Sequence, residues 1–443
     1  MLGPQRFSIS ESALKNLMEQ FSQRGGVLTS ATGIVLKARG VDASVGELCA
    51  LYDYNRATTL LAEVVGFSEG EHVLAPLEDP AGLSEFTRVQ PLNRAHSIAV
   101  GEHLLGHVLD GLGRPLDISD LSSGNAHEQS VLQPPPSALH RPTIKTPLCT
   151  GIRAIDAFLT CGEGQRVGIF APAGCGKTTL LGQIARNANY DVLVIALIGE
   201  RGRELNEFLE RQLDAATRAR CVVVVATSDR VAIERVRAGD VATTIAAHFA
   251  GEGKKVLMLF DSLTRYARAL REIGLAAGEP AVRRGFPPSV FSALPKLVER
   301  SGPMPNGTVT AFYTVLEEDI NGNDPVSEEV RSLLDGHIVL SRKLSDAGHF
   351  PAIDILASIS RLMTEITEQQ HRTDAAHARN LMDKFLSIEL LVQVGEYQPG
   401  TDVVADEAIQ KRAALQSFLQ QSSHEKVGFE ETVGSLNELC NQH

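Results

Sequence analysis

Four residues in one short segment, Gly174, Gly176, Lys177 and Thr178 of RVGIFAPAGCGKTTLL, have the types and spacing that hold a phosphate chain. The two glycines let the backbone turn so that several N–H groups face one oxyanion, and the helix that follows adds its positive dipole end. Lys177 supplies a point charge for β- and γ-phosphates, Thr178 offers a hydroxyl to Mg²⁺, and Cys175 and Thr179 belong to the same cradle. The first position of the GxxxxGK-Ser/Thr pattern is Ala171 rather than glycine, which leaves all these groups in place.

Two further acids fall where such a loop needs them. The apolar run of VLMLFDSLTRYAR ends in Asp261, and a buried parallel strand there would deliver the carboxylate beside the loop, where it can hold magnesium largely through water. The run VLVIALI opens into Gly199-Glu200-Arg201-Gly202-Arg203-Glu204. Glu200 is placed to orient and deprotonate a water attacking the γ-phosphate, and Arg201 would partner either Glu200 or the phosphates. The competing reading of this second loop is a surface salt-bridge cluster.

The elements that must position these groups are visible in the hydrophobic pattern. QRVGIFA, VLVIALI, CVVVVAT, VLMLF and TVTAFYTV alternate with helical segments, the mark of a doubly wound α/β core with a parallel sheet. Before it, Ser10 can cap a helix carrying the stripe Leu14, Leu17, Met18 and Phe21. GVLTSATGIVLKA, ELCALYDY, LLAEVVGF and EHVLAPL then read as a small antiparallel barrel. An OB-like nucleic-acid binder competes for the barrel, but its aromatics are too sparse for stacking platforms. Residues 118–150 are Ser- and Pro-rich and read as an extended connection. Beyond 364, Leu381, Phe385, Ile388 and Leu391, then Ile409, Ala413 and Phe418, then Phe429, Val433 and Leu436 keep helical spacing, broken by EYQPGTD and KVG. The expected domains are 1–90, 91–363 and 364–443.

Charge narrows the function further. The 443-residue chain has a net charge of −12, which disfavours nucleic acid and anionic membrane as partners. Residues 364–443 carry 13 acidic and six basic side chains, either a solvated face or a docking surface for a basic partner. The chain begins MLGPQRFSISES, without the basic and apolar regions of a secretory signal, so a cytoplasmic location is expected. Six scattered cysteines form no CxxC pair, so neither a disulfide framework nor a zinc site is expected. At a helix N-terminus the Cys175 thiol should have a depressed pKa, with modification blocking activity and MgATP protecting it.

Taken together, APAGCGKT, IGERGRE, FDSLTRYARALRE, FPPSVFSALPKLVER and HFPAIDILASISRLM closely resemble the rotary ATPase family, and within it the type III protein export ATPases. TCGEGQRVGIFA and SLLDGHIVLSRKL look more like ATPases of virulence-type injection systems than flagellar ones. The resemblance covers nearly the whole chain. It implies a RecA-like P-loop core with an N-terminal β-barrel and a C-terminal helical domain, forming a homohexamer with ATP sites at subunit boundaries. It also implies a central stalk protein, a peripheral stator-type protein at the N-terminal helix, chaperone–effector complexes at the tail, and the export gate of the apparatus at the inner-membrane base. By resemblance Lys177, Thr178, Glu200, Arg201 and Asp261 match the family's catalytic residues, and Arg265 matches a basic residue near the phosphates. Arg361 matches the arginine that reaches into the neighbouring subunit's site, while Phe350 and Tyr397 match positions that sandwich adenine. The alternatives are a flagellar export ATPase, an ATP-driven RNA translocase, and a noncatalytic nucleotide-binding subunit, which the carboxylate at Glu200 disfavours.

Overall fold

The computed structural model of the protein describes residues 25–53, 58–118, 126–317 and 324–441. The expected Ser10-capped helix therefore lies outside the described residues. Six strands, Gly26–Thr32, Val35–Arg39, Glu47–Asp53, Thr58–Ser68, Glu71–Pro76 and Arg88–Ala95, pair antiparallel and close into a barrel. Alternation makes the barrel: Leu36, Ala38, Cys49, Leu51, Val64, Leu74 and Val89 point into one small core while neighbours face out. Closure leaves no unpaired edge.

The Ser- and Pro-rich stretch is only in part a bare connection. His127–Ser130 is a strand paired with Ser97–Val100, a local interaction its polar sequence does not announce.

The central sheet runs in the order Ile353–Ser360, Gly336–Leu340, Arg166–Ala171, Thr308–Leu316, Lys255–Asp261, Val192–Ile198, Cys221–Ala226, Val108–Asp110. Along this path every pairing is parallel except that of Ile353–Ser360 with Gly336–Leu340. Every residue of Val192–Ile198 and Cys221–Ala226 is buried because both faces are covered. Val194, Ala196, Ile198, Val224 and Phe260 pack under the long helix Ala232–Gly251. Leu193, Ile195, Leu197, Val223 and Leu259 face the other way, into a core shared with the C-terminal helices.

Those helices are Gln369–Gln393, Val403–Leu419 and Phe429–Asn441. Leu381, Phe385, Ile388, Phe418 and Leu436 are buried as their spacing requires. Leu391 and Ala413, assigned to the same stripes, are exposed, and Ala405, Ala408 and Leu415 take the inner face of the middle helix instead. Among the described residues no helix is long and apolar enough to cross a membrane.

Barrel and core are joined through a buried charge network. Arg237 on the long helix donates from Nε to Glu63 of the barrel at 2.7 Å, and Asp240 accepts from both Arg237 and Arg300.

Candidate functional site

The strand Arg166–Ala171 ends at the glycine-containing loop, and the helix Lys177–Asn187 begins directly after it. Gly174 and Gly176 have φ of 83° and 82°, left-handed values that explain glycine at both positions. Gly176 starts the helix with no side-chain cap, so the first N–H groups have no acceptor from a capping side chain. Thr178 and Thr179 lie exposed at this helix start.

The carboxylates arrive from neighbouring strands, because the parallel sheet brings all their C-terminal ends to one edge. Lys177 Nζ lies 2.5 Å from Asp261 Oδ1 and 3.5 Å from Glu200 Oε1. Asp261 Oδ1 also accepts from the Thr314 hydroxyl at 2.7 Å, which fixes its rotamer from the next strand. Glu200 Oε2 lies 3.4 Å from Arg265 Nη2. Arg265 lies along Gly199, where a Cβ would come within 2.8 Å of its Cδ; the glycine of the IGERGRE segment is thereby explained by close approach. Arg265 Nε is buried without a hydrogen-bond partner among the described residues.

Burial, and then the Asp261 charge, push the Glu200 carboxyl up to about 7, against the opposing pull of Lys177 and Arg265. A carboxylate held near neutrality is suited to accepting a proton from water.

For magnesium the available donors would be the Thr178 hydroxyl and the Asp261 carboxylate, both hard oxygens. Among the described residues no group of three His, Cys, Asp or Glu side chains could hold a metal. The donor set therefore fits an ion that keeps most of its coordination for water and phosphate oxygen.

Three residues stand differently from a simple reading of their motifs. Arg201 is 80% exposed and its nearest acid is Glu204 at 3.9 Å, so it pairs with neither Glu200 nor the loop. It occupies the N-cap of the helix Gly202–Arg211, whose start turns the side chain to solvent. Cys175 is buried and its thiol is pushed up, not down; burial outweighs the charge of Arg342 and corrects the expectation of a reactive thiolate. Tyr397 donates to Asp406 Oδ1 at 2.8 Å, a contact inside the helical tail. Phe350, by contrast, lies beside the loop, its ring 3.7 Å from where a Gly176 Cβ would be. The tail segment that meets it is the turn after Leu419: Gln421 N donates to Phe350 O at 2.9 Å. Gln183, Arg186 and Asn187 of the phosphate-loop helix donate to the carbonyls of Ser422, Ser423 and Glu425.

Arg361 follows the strand Ile353–Ser360, whose antiparallel register pairs Ile353 with Leu340 and Ser360 with Gly336. It is exposed at the sheet edge opposite the phosphate loop, beside Asp335, whose N–H donates to the carbonyl of Arg166 at the start of the strand that leads to the loop. Thr314, Glu317, Arg331 and Gln421 carry no motif; only the strand register and the packing of distant segments reveal them.

Comparison with known proteins agrees with this architecture. The model of the ATP synthase alpha/beta family nucleotide-binding domain matches residues 151–360, that of its beta-barrel domain residues 28–93, and that of the T3SS EscN ATPase C-terminal domain residues 367–438. A type 3 secretion system ATPase of Xanthomonas euvesicatoria is 49% identical, covering 94% of each chain. A flagellum-specific ATP synthase of Bacillus subtilis is 43% identical, covering 94% of this chain and 95% of its own. The assembled ATPase EscN of enteropathogenic E. coli superposes with a TM-score of 0.89 at 47% identity, over 94% of this chain and all of that one. A second structure of EscN, in complex with its central stalk EscO, gives 0.86 at 46% identity, over 94% of this chain and all of that one.

Proposed function

The chain belongs to the family of type 3 secretion system ATPases, and we propose that it works as a homohexameric ring whose Mg²⁺-dependent ATP hydrolysis releases chaperones from effector substrates and unfolds them for export. The observation that carries the reading is the separation within one subunit of Arg361 from Lys177, Glu200 and Asp261, at opposite edges of the sheet. A site that lacks its transition-state arginine is completed by a neighbour, and a ring gives every site a neighbour.

In that site Lys177 and the N–H groups at the helix start bind and orient the β- and γ-phosphates. Glu200 takes the proton of the attacking water, Arg265 holds Glu200 in place, and Arg361 of the adjacent copy meets the charge on the transferring group. Thr178 and Asp261 hold the magnesium, which when bound neutralises phosphate charge. Phe350 stacks on the base.

The solved relative in complex with its central stalk supports a stalk partner here. Leu386, Leu390 and Val394, spaced by four on one helix, and Val403 across the turn are exposed at 54%, 70%, 60% and 81%. This apolar ridge on an acidic domain supports docking of chaperone–effector complexes. The N-terminal segment that carries Leu14, Leu17, Met18 and Phe21 contacts a stator-type protein, and the ring sits at the cytoplasmic base of the apparatus, under its export gate. The injection-system assignment rests on the 49–50% identity to secretion ATPases of Xanthomonas and Pseudomonas against 43% to the flagellar protein, while the SPI-1 secretion ATPase of Salmonella typhi stands level with the latter at 42%. Deleting the gene should abolish effector secretion with motility intact; lost motility with normal secretion would reverse that choice.

The test of the ring is MgATP hydrolysis per subunit across a wide range of protein concentration, for wild type and Arg361→Ala. Activity that rises as the large oligomer forms, and that Arg361→Ala lowers ~10³-fold to a measurable remainder without dispersing the ring, is expected. Activity flat with concentration and indifferent to Arg361 would overturn the shared site.

A further inference from the structure

Arg361 is exposed, yet it is held at both its backbone and its guanidinium. Its backbone N–H donates to Asp335 O at 3.0 Å, and its Nη2 lies 3.3 Å from the carbonyl of Arg331. Arg331 lies in the last turn of the helix Pro325–Leu333, and its side chain reaches the end of the strand that enters the phosphate loop. There its guanidinium lies 4.5 Å above the centre of the Phe170 ring, with Nη2 2.5 Å from Glu317 Oε1. His337 packs edge-on against the same Phe170 ring at 6.0 Å, and burial with the nearby Arg331 charge keeps that imidazole below its ordinary pKa. It therefore adds no competing cation at neutral pH.

The far end of this chain of contacts is the loop itself. Glu317 N donates to Ala171 O at 3.1 Å, and Phe170 and Ala171 are the last two residues of the strand that enters the loop. One arginine thus touches the base of its own subunit's phosphate site with its side chain and the guanidinium of Arg361 with its carbonyl.

We propose that Arg331, anchored by Glu317, is a positioning residue that holds Arg361 for the neighbouring subunit's ATP and ties that arginine to the state of its own subunit's phosphate loop. A movement of Ala171 when the loop closes on phosphate is passed to Glu317 and Arg331, and so to the arginine offered next door. The pair is poorly suited to a purely stabilising role. Arg331 and Glu317 side chains are 41% and 23% exposed, and ion pairs that open to water add little to stability. The inference rests on the assignment of Arg361 to the adjacent site.

The experiment is a double-mutant cycle in the full-length ring, with kcat and KM for MgATP measured for Arg331→Gln, Arg361→Ala and the double variant, and ring size followed by sedimentation. Arg331→Gln is expected to lower kcat ~10-fold with KM within about twofold, and to cost no further activity on the Arg361→Ala background. Glu317→Gln, which leaves Arg331 on the Phe170 face, should lower kcat in the same direction and covers the case in which Arg331→Gln disperses the ring. Unchanged kcat in Glu317→Gln and Arg331→Gln, or losses that multiply in the double variant, would overturn the positioning role while leaving the shared site intact. Full activity in Arg361→Ala would instead remove the shared site, and with it this inference.

Discussion

Lys177 is shared between Asp261 and Glu200, 2.5 Å from one carboxylate and 3.5 Å from the other, so one cation balances two buried acids. Burial, and then the Asp261 charge, push the Glu200 carboxyl up to about 7 from 4.5, by more than Lys177 and Arg265 pull it down. A group whose folded pKa is raised contributes stability that is fully present below its unfolded value and is lost as pH rises through the folded one.

Glu200→Gln should therefore abolish turnover while raising thermal stability at pH 8, by an amount on the order of 1–3 kcal/mol. The gain should shrink to nothing as pH falls from about 7 to 4.5. Unfolding temperatures of the two proteins across that range check it; a constant offset would mean that the carboxyl titrates alike in the folded and unfolded protein and is not strained in the site.

Asp261 is held by the Thr314 hydroxyl as well as by Lys177. Thr314→Val keeps the volume of this buried strand residue and removes only the hydrogen bond. The carboxylate then loses its fixed aim at the water shell of the metal. Loss of one buried hydrogen bond costs about 1 kcal/mol in stability, and the affinity for magnesium should fall by about 3–10-fold. Turnover titrated with Mg²⁺ reads this directly, with recovery expected at high magnesium.

How much of this could be read before the fold was known differs from residue to residue. The phosphate loop and Asp261 are local: each sits where a buried strand ends, and hydrophobic runs mark strand ends well. Arg201 adjoins Glu200 in sequence, yet the backbone turns into a helix between them and sends the guanidinium into water. Adjacency along the chain does not determine side-chain direction. Phe350 meets the turn at Gln421 rather than Tyr397 because three tail helices pack as a unit on the phosphate-loop helix, a tertiary fact that no short pattern encodes. Glu317 and Arg331 are joined across 14 residues, part of them outside the described chain, by a pairing with no periodic signature.

Cys175 tests burial against the helix dipole. Its side chain is under the loop, 2% exposed, with the thiol pushed up by that burial. At pH 7.5 alkylation of Cys175 should be slow with or without MgATP, at least ~10-fold slower than an exposed free thiol. Peptide mapping after timed modification measures it, and fast labelling that nucleotide prevents would place the thiolate back in the open cradle. Cys175→Ser should remain an active ATPase.

The buried network between barrel and core gives the clearest stability prediction. Glu63 and Arg237 belong to different domains, and Asp240 is shared between Arg237 and Arg300, all four groups being almost fully buried. Glu63→Ala leaves the Arg237 guanidinium with half its negative partners in a place that water does not reach, and should destabilise the protein by about 3 kcal/mol. Glu63→Ala with Arg237→Met, which removes both charges across the interface, should recover part of that loss even though it deletes one more ion-pair partner. It also leaves Asp240 to Arg300 alone, so recovery should be incomplete. Urea unfolding of the three proteins separates these cases. If the single and double variants are equally destabilised, the cost is lost attraction, and the barrel is held by the charge pair itself. If the double variant is the more stable, the penalty in the single variant is the stranded arginine, and apolar packing of Leu61, Val65, Ala75 and Leu77 in the cluster shared with the long helix holds the barrel to the core.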